Sequence, residues 1–105
     1  MITRKEEQIL LAIVHLDDKA YLVNVREKLR EITGKYLDVG SINKTFKKLE
    51  RDGLLVSELG EPTPVRGGKA IKYYALTKNG YAALSEVKAM QKRLWENVFL
   101  SSRNE

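Results

Sequence analysis

Apolar residues in the first third of the chain recur at the three- and four-residue spacing of helices. Between Thr3 and Leu16 they form a stripe that is wider than one face of a surface helix requires. After the polar segment Asp17-Asp18-Lys19, a second amphipathic helix is predicted, which ends at Gly34. Its apolar positions are Leu22, Val25, Leu29 and Ile32. We therefore expect the first helix to contact two surfaces and the second to bury one face.

The central segment predicts a third helix and then a β-hairpin. Asp38 can cap the helix, because its carboxylate can accept the free backbone amides of the first turn, and Gly53 ends it. Its expected buried seam consists of Val39, Ile42, Phe46 and Leu49. Two strands are predicted next, Leu54–Leu59 and Ala70–Leu76, because the spacing changes from helical to extended. The segment GEPTPVRGGK between them is typical of a hairpin loop.

A final helix, capped by Thr77, is predicted to run to about residue 100. At 105 residues the chain has room for a single domain. We divide it into a core of residues 1–76, a long helix of residues 77–100 and a tail of residues 101–105. The fold class is thus mainly α with a small β-hairpin.

The charge of the chain lies mostly in its centre. The formal net charge is +5, and residues 35–78 hold nine basic and five acidic residues, which is +4 of that total. A polyanion would meet this segment first. Charge alone is equally compatible with nucleic-acid binding and with a solvated basic surface.

The predicted outer face of the third helix carries only hydrogen-bond donors. They are Ser41, Asn43, Lys44, Lys47, Lys48 and Arg51. A third helix followed at once by a hairpin is the arrangement in which that helix enters a major groove of DNA. Asn43, with Ser41 and Lys44, would reach base edges, and an asparagine can pair bidentately with adenine. The other three would hold phosphates.

The hairpin loop offers a second cationic element. Arg66 and Lys69 flank Gly67-Gly68, a pair of glycines that lets the backbone approach a phosphate closely. A plain turn uses the same glycines, and a solvated helix face remains the alternative explanation of the lysines. The position of the loop directly after the third helix is what favours DNA.

Two segments, GSINKTFKKLERDGLL and KYYALTKNGYAAL, resemble the PadR family of bacterial transcription regulators. The matching residues are Gly40, Ser41, Ile42, Leu49, Gly53, Leu54, Tyr74, Leu76, Thr77, Gly80 and Leu84. The resemblance implies a winged helix-turn-helix, a homodimer built through the last and first helices, and usually repression of a nearby promoter. The family commonly has tyrosine at Asn43 and leucine at Phe46. Its Gly-Tyr opening of the second helix corresponds to Ala20-Tyr21, which makes Tyr21 a candidate contact to the DNA backbone.

Surplus apolar residues on both terminal helices independently favour a dimer, because a core of about 70 residues cannot cover them. The expected interface residues are Leu10, Ile13, Val14, Leu84, Val87, Gln91, Leu94, Trp95 and Val98. Near a two-fold axis, Trp95 would face its own copy. It would then form a slot for a small planar hydrophobic effector, or simply pack in the dimer core.

Several classes of function are disfavoured. The chain lacks cysteine and has one histidine, His15, which we expect to be packed in the apolar stripe, so neither an enzyme, a metal site nor a cofactor is predicted. No secretory signal or apolar run of about 20 residues is evident, and we expect a cytoplasmic protein. The predicted function is a sequence-specific regulator, a repressor that binds an inverted-repeat operator in double-stranded DNA as a homodimer. The alternative is a winged-helix protein-interaction module without a direct DNA role.

Overall fold

The computed structural model describes residues 1–61 and 70–102, with side chains to residue 100. The helices are α1 (Arg4–His15), α2 (Leu22–Thr33), α3 (Val39–Arg51), α4 (Lys78–Trp95) and α5 (Val98–Ser102), and a 3-10 turn, Asp17–Lys19, joins α1 to α2. The strands are β1 (Leu55–Leu59) and β2 (Lys72–Leu76). The predicted order of elements is confirmed. The loop positions Arg66, Gly67, Gly68 and Lys69 and residues 103–105 lie outside the described residues.

Local capping interactions define the helix ends. Thr3 and Glu6 form a reciprocal capping box at the start of α1. Gly34 ends α2 in the left-handed conformation with φ 77°, which glycine adopts without steric cost. Asp38 accepts a hydrogen bond from the Ser41 amide, and Thr77 accepts one from the Gly80 amide, both at 3.1 Å. The caps predicted at Gly34, Asp38 and Thr77 are therefore present.

The hydrophobic core lies between α1, α2, α3 and the hairpin. Its largest fully buried side chains are Phe46, Ile9, Leu10, Ile13, Ile42, Leu49 and Val25. Phe46 of α3 packs on Tyr74 of β2, with ring centroids 4.2 Å apart. Strands β1 and β2 pair antiparallel, with Leu55 opposite Leu76. The Tyr74 amide also donates to the Ala20 carbonyl at 2.8 Å, which ties the hairpin to the segment before α2.

Three side chains expected to be buried are exposed. Val39 is 42% and Ile32 58% exposed, and His15 at the end of α1 is also exposed. Val39 and Ile32 flank the connection between α2 and α3, beyond the edge of the core. The buried residues of α3 are Ile42, Thr45, Phe46 and Leu49. Thr45 is thus buried although the apolar pattern does not include it, and Val39 is exposed although the pattern does.

The C-terminal helix is interrupted, contrary to the prediction of one helix to residue 100. Asn97 adopts a left-handed conformation with φ 61°, which asparagine tolerates better than most residues, and separates α4 from α5. Apolar side chains around the break are largely exposed, including Leu94 at 68%, Trp95 at 61% and Phe99 at 71%. Among the described residues, no helix is both long enough and apolar enough to cross a membrane.

Candidate DNA-binding surface

The connection between α2 and α3 is held by a cluster around Tyr36. Arg26 donates to the Leu37 carbonyl at 2.8 Å, and its guanidinium lies 4.4 Å from the centroid of the Tyr36 ring. The Tyr36 hydroxyl lies 3.1 Å from Glu27 Oε1 and donates to it. These contacts fix the turn, and with it the angle at which α3 leaves α2.

The outer side of α3 presents cations that lack acidic partners. Lys44, Lys47 and Arg51 are exposed, and within the described part of the chain none of them takes part in an ion pair. Asn43 is half-buried on the same helix, one turn after the exposed Val39. This surface therefore combines free positive charge with an amide and one aliphatic group.

Lys48, predicted to contact phosphate, forms two ion pairs within its own chain. Its Nζ lies 2.8 Å from Glu6 Oε2 and 2.9 Å from Asp52 Oδ2. The hydrogen bond to Glu6, and to a smaller extent the one to Asp52, raises the pKa of Lys48. The start of α3 is engaged as well, because Lys5 Nζ of α1 contacts the Ser41 hydroxyl. Sequence reasoning missed Lys5 and Glu6, since no local pattern links α1 to a helix more than 30 residues away.

The Glu6 carboxylate is the acidic centre of this contact. It is 5% exposed, and burial alone would raise the pKa of its carboxyl. Hydrogen bonds from Lys48 and from the Thr3 backbone and side chain, with the charge of Lys48, outweigh burial and leave the pKa below 4.5. Glu6 is thus held ionised beside α3.

Tyr21 lies beside α3 at the base of the hairpin. A cavity of about 390 Å³ opens between α2, α3 and β2, and Tyr21, Asn43, Phe46, Lys72 and Tyr74 belong to its lining. The Tyr21 ring packs edge-on to Tyr73, with centroids 5.9 Å apart. Two predicted DNA contacts, Tyr21 and Asn43, therefore share one concave surface.

Comparison with known proteins identifies this arrangement. The model of the "Transcriptional regulator PadR-like family" matches residues 10–86, well over half of the chain. The chain belongs to the PadR-like family. No curated protein matches the sequence significantly.

Solved structures of PadR-like regulators share the fold along nearly their whole length. A PadR family transcriptional regulator from Eggerthella lenta is 26% identical with a TM-score of 0.73, and the match covers 97% of this chain and 87% of that one. A PadR-like transcription factor from Bacteroides fragilis is 30% identical with a TM-score of 0.70, covering 90% and 91%. The predicted family and the winged helix-turn-helix fold are confirmed. This is a family of transcriptional regulators rather than of enzymes.

The residues predicted at the dimer interface of this PadR-like chain fall into two groups. Leu10, Ile13 and Val87 are at most 4% exposed within one chain, so they offer almost no surface to a second copy, and their place at an interface stays a prediction. Leu10 and Ile13 of α1 belong to the core cluster, and Val87 is buried on α4. The remaining positions keep some exposure, namely Val14, Leu84, Gln91, Leu94, Trp95 and Val98.

Gln91 also binds within the chain. Its side-chain amide donates to the two Glu7 carboxylate oxygens at 3.3 and 3.4 Å, which joins α4 to the first turn of α1. Among the described residues, no group of three histidine, cysteine or acidic side chains has the arrangement of a metal site.

Proposed function

We propose that this PadR-like regulator is a cytoplasmic, sequence-specific repressor that binds an inverted-repeat operator in double-stranded DNA as a homodimer. One observation carries the proposal: Lys44, Lys47 and Arg51 project from one helix with no acidic partner in the described residues, whereas neighbouring Lys48 is paired. Cations that are left unpaired on a protruding helix suit a polyanion, because each phosphate contact releases bound counterions.

The roles of the surface residues follow from their positions on α3. Val39 and Asn43 lie near the N-terminal end, the part of a recognition helix that meets base edges. Asn43 would read adenine, and Val39 would contact the methyl group of thymine. Lys44, Lys47 and Arg51 would hold phosphates, together with Tyr21 and the loop residues Arg66 and Lys69.

The exposed apolar end of the chain supports the homodimer. Leu94, Trp95 and Phe99 are each more than 60% exposed, and the Trp95 and Phe99 rings lie 6.0 Å apart. A patch of this kind on a soluble regulator is best covered by a second copy, whose two-fold axis would place two α3 helices about 10 base pairs apart. A planar hydrophobic effector would bind beside Trp95 in the paired form.

Salt dependence of DNA binding tests the proposal. A duplex selected from a random library by the purified protein should bind with an affinity that falls steeply with salt, by about 0.9 in the logarithmic slope for each neutralised phosphate. Fluorescence anisotropy of the labelled duplex between about 50 and 200 mM salt measures that slope. Lys44→Gln with Lys47→Gln should reduce it by about 2 per protomer.

A matched control uses the same change in charge elsewhere. Lys88→Gln with Lys92→Gln removes two exposed cations of α4 and should leave the slope unchanged. A shallow response, or wild-type affinity in the Lys44→Glu, Lys47→Glu variant, would contradict DNA binding and favour the protein-interaction module.

A further inference from the structure

Two consecutive residues in the first turn of α1 contact the recognition helix α3. Lys5 reaches the Ser41 hydroxyl at the start of α3, and Glu6 reaches Lys48 almost two turns later. The next residue, Glu7, binds Gln91 of α4. The first turn of α1 therefore joins the recognition helix to the helix that carries the exposed apolar end.

In the Glu6–Lys48 pair the carboxylate is buried, whereas the Lys48 side chain is half exposed. Glu6 Oε1 accepts the Thr3 amide at 2.8 Å, and Oε2 accepts Lys48 Nζ at 2.8 Å, so both oxygens have partners. A carboxylate that is 5% exposed depends on such partners, because an unpaired buried charge strongly destabilises a fold. Drawing Lys48 away to a DNA phosphate would remove the positive partner of Glu6 and leave Oε2 without this contact.

Local charge also disfavours a phosphate at Lys48. The ammonium lies between two carboxylates, Glu6 and Asp52, so that the three groups together carry a charge of −1. Lys47, one residue earlier, projects about 100° around the helix from Lys48, and it has no ion-pair partner in the described residues.

We infer that Lys48 is a positioning residue: its pair with Glu6 sets the orientation of α3 against α1, and DNA phosphates are contacted by Lys44, Lys47 and Arg51 without it. The inference deepens the proposed function and rests on it. It predicts that removing Lys48 weakens DNA binding through the angle of the helix, while the number of neutralised phosphates stays the same.

The test compares salt slopes of the full chain on one selected duplex, at a temperature where circular dichroism shows every variant folded. Lys48→Gln and Glu6→Gln should each weaken binding about fivefold at 0.15 M salt and keep the wild-type slope. The double variant should bind no more weakly than either single variant, since both break one contact. Lys48→Arg, which preserves the ion pair, should bind nearly as the wild type does. The matched control, Lys47→Gln, should instead lower the slope by about 0.9 per protomer.

Glu6→Gln is the decisive variant, because the direction in which it changes DNA affinity separates the two roles of Lys48. Glutamine keeps the size of the side chain and can still accept the Thr3 amide. If Lys48 were a phosphate contact restrained by Glu6, this variant would free it and binding would become tighter and more salt-dependent. Any of three results would overturn the inference. They are tighter binding by Glu6→Gln, a reduced salt slope in Lys48→Gln, and wild-type affinity in both variants with only a lower melting temperature. A wild-type protein that binds no duplex would instead refute the proposed function, and this inference with it.

Discussion

Gly80 is the position at which the structure allows a stability effect to be worked out most directly. It lies in the first turn of α4, directly against the start of β1. A Cβ built at Gly80 would lie 2.3 Å from the Leu54 carbonyl oxygen, 3.3 Å from its carbon and 3.2 Å from Leu76 Cγ. An ordinary carbon–oxygen contact is at least about 3.3 Å, so α4 would have to move away by about 1 Å.

Movement of α4 is opposed by hydrogen bonds at the same place. The Leu54 carbonyl accepts the Thr77 amide at 3.0 Å, and the Thr77 hydroxyl donates to the Gly53 carbonyl at 2.6 Å. The severe contact is thus with the backbone carbonyl of Leu54, and rotation of a side chain cannot relieve it. We place the cost of Gly80→Ala at the upper end of the range for overpacking, about 3 kcal/mol.

Helix propensity acts in the opposite direction and does not compensate. Alanine is more favourable than glycine inside a helix by about 1 kcal/mol, which leaves a net loss of about 2 kcal/mol. For a chain of this size, that corresponds to a fall in melting temperature of about 10 °C.

Thermal unfolding followed by circular dichroism measures the effect, with all proteins at one concentration because the proposed dimerisation would make the melting temperature concentration-dependent. Gly40→Ala in α3 is the matched control. Its Cβ would meet only Asp38 Oδ2, the oxygen that caps α3, at 3.2 Å, and a shift of a few tenths of an ångström relieves this contact, so its stability should stay within about 1 kcal/mol of the wild type. Equal melting temperatures for the two variants would refute the steric argument.

Further expected outcomes concern acid stability, base reading and the exposed tryptophan. Because the pKa of Glu6 is lowered from 4.5 by folding, its ionised form stabilises the chain above that pH, and this is lost as the pH falls through the folded pKa. Glu6→Gln should therefore show a smaller loss of stability between about pH 6 and pH 3 in urea titrations. Replacing thymidine by deoxyuridine in the half-site should weaken wild-type binding by up to about 1 kcal/mol and Val39→Ala binding hardly at all; equal losses would exclude a methyl contact. Trp95 emission should shift to shorter wavelength as protomers associate and be quenched by planar cationic compounds, whereas constant emission in both titrations would contradict a paired, effector-binding Trp95.

Features set by neighbouring residues were predictable from the sequence. The caps at Asp38 and Thr77 and the end of α2 at Gly34 each depend on a few residues close together, so the residue types suffice to locate them. The break at Asn97 was not predictable in this way, because the apolar spacing continues across it and asparagine also occurs within helices.

Whether a side chain is buried depends on how far the core extends, and the spacing of apolar residues along a helix does not reveal this. The apolar pattern of α3 predicts that Val39 is buried and that Thr45 is not. Thr45 is nevertheless buried, and its hydroxyl donates to the Ser41 carbonyl at 3.0 Å. Val39, in the first turn of the helix, lies beyond the edge of the core and is exposed. The same limit explains Leu10 and Ile13, whose apolar character fits a core and an interface equally well.

Charge counting fails at Lys47 and Lys48 for a geometric reason. The two lysines are adjacent in sequence, carry the same charge and are both exposed, but the helix turns by about 100° between them, so only Lys48 reaches Glu6 of α1. Lys48 has two carboxylate partners, Glu6 some 40 residues earlier and Asp52 at the end of α3, whereas Lys47 has no ion-pair partner among the described residues. With Lys48 paired, α3 offers a polyanion one unpaired cation fewer per protomer than its sequence suggests.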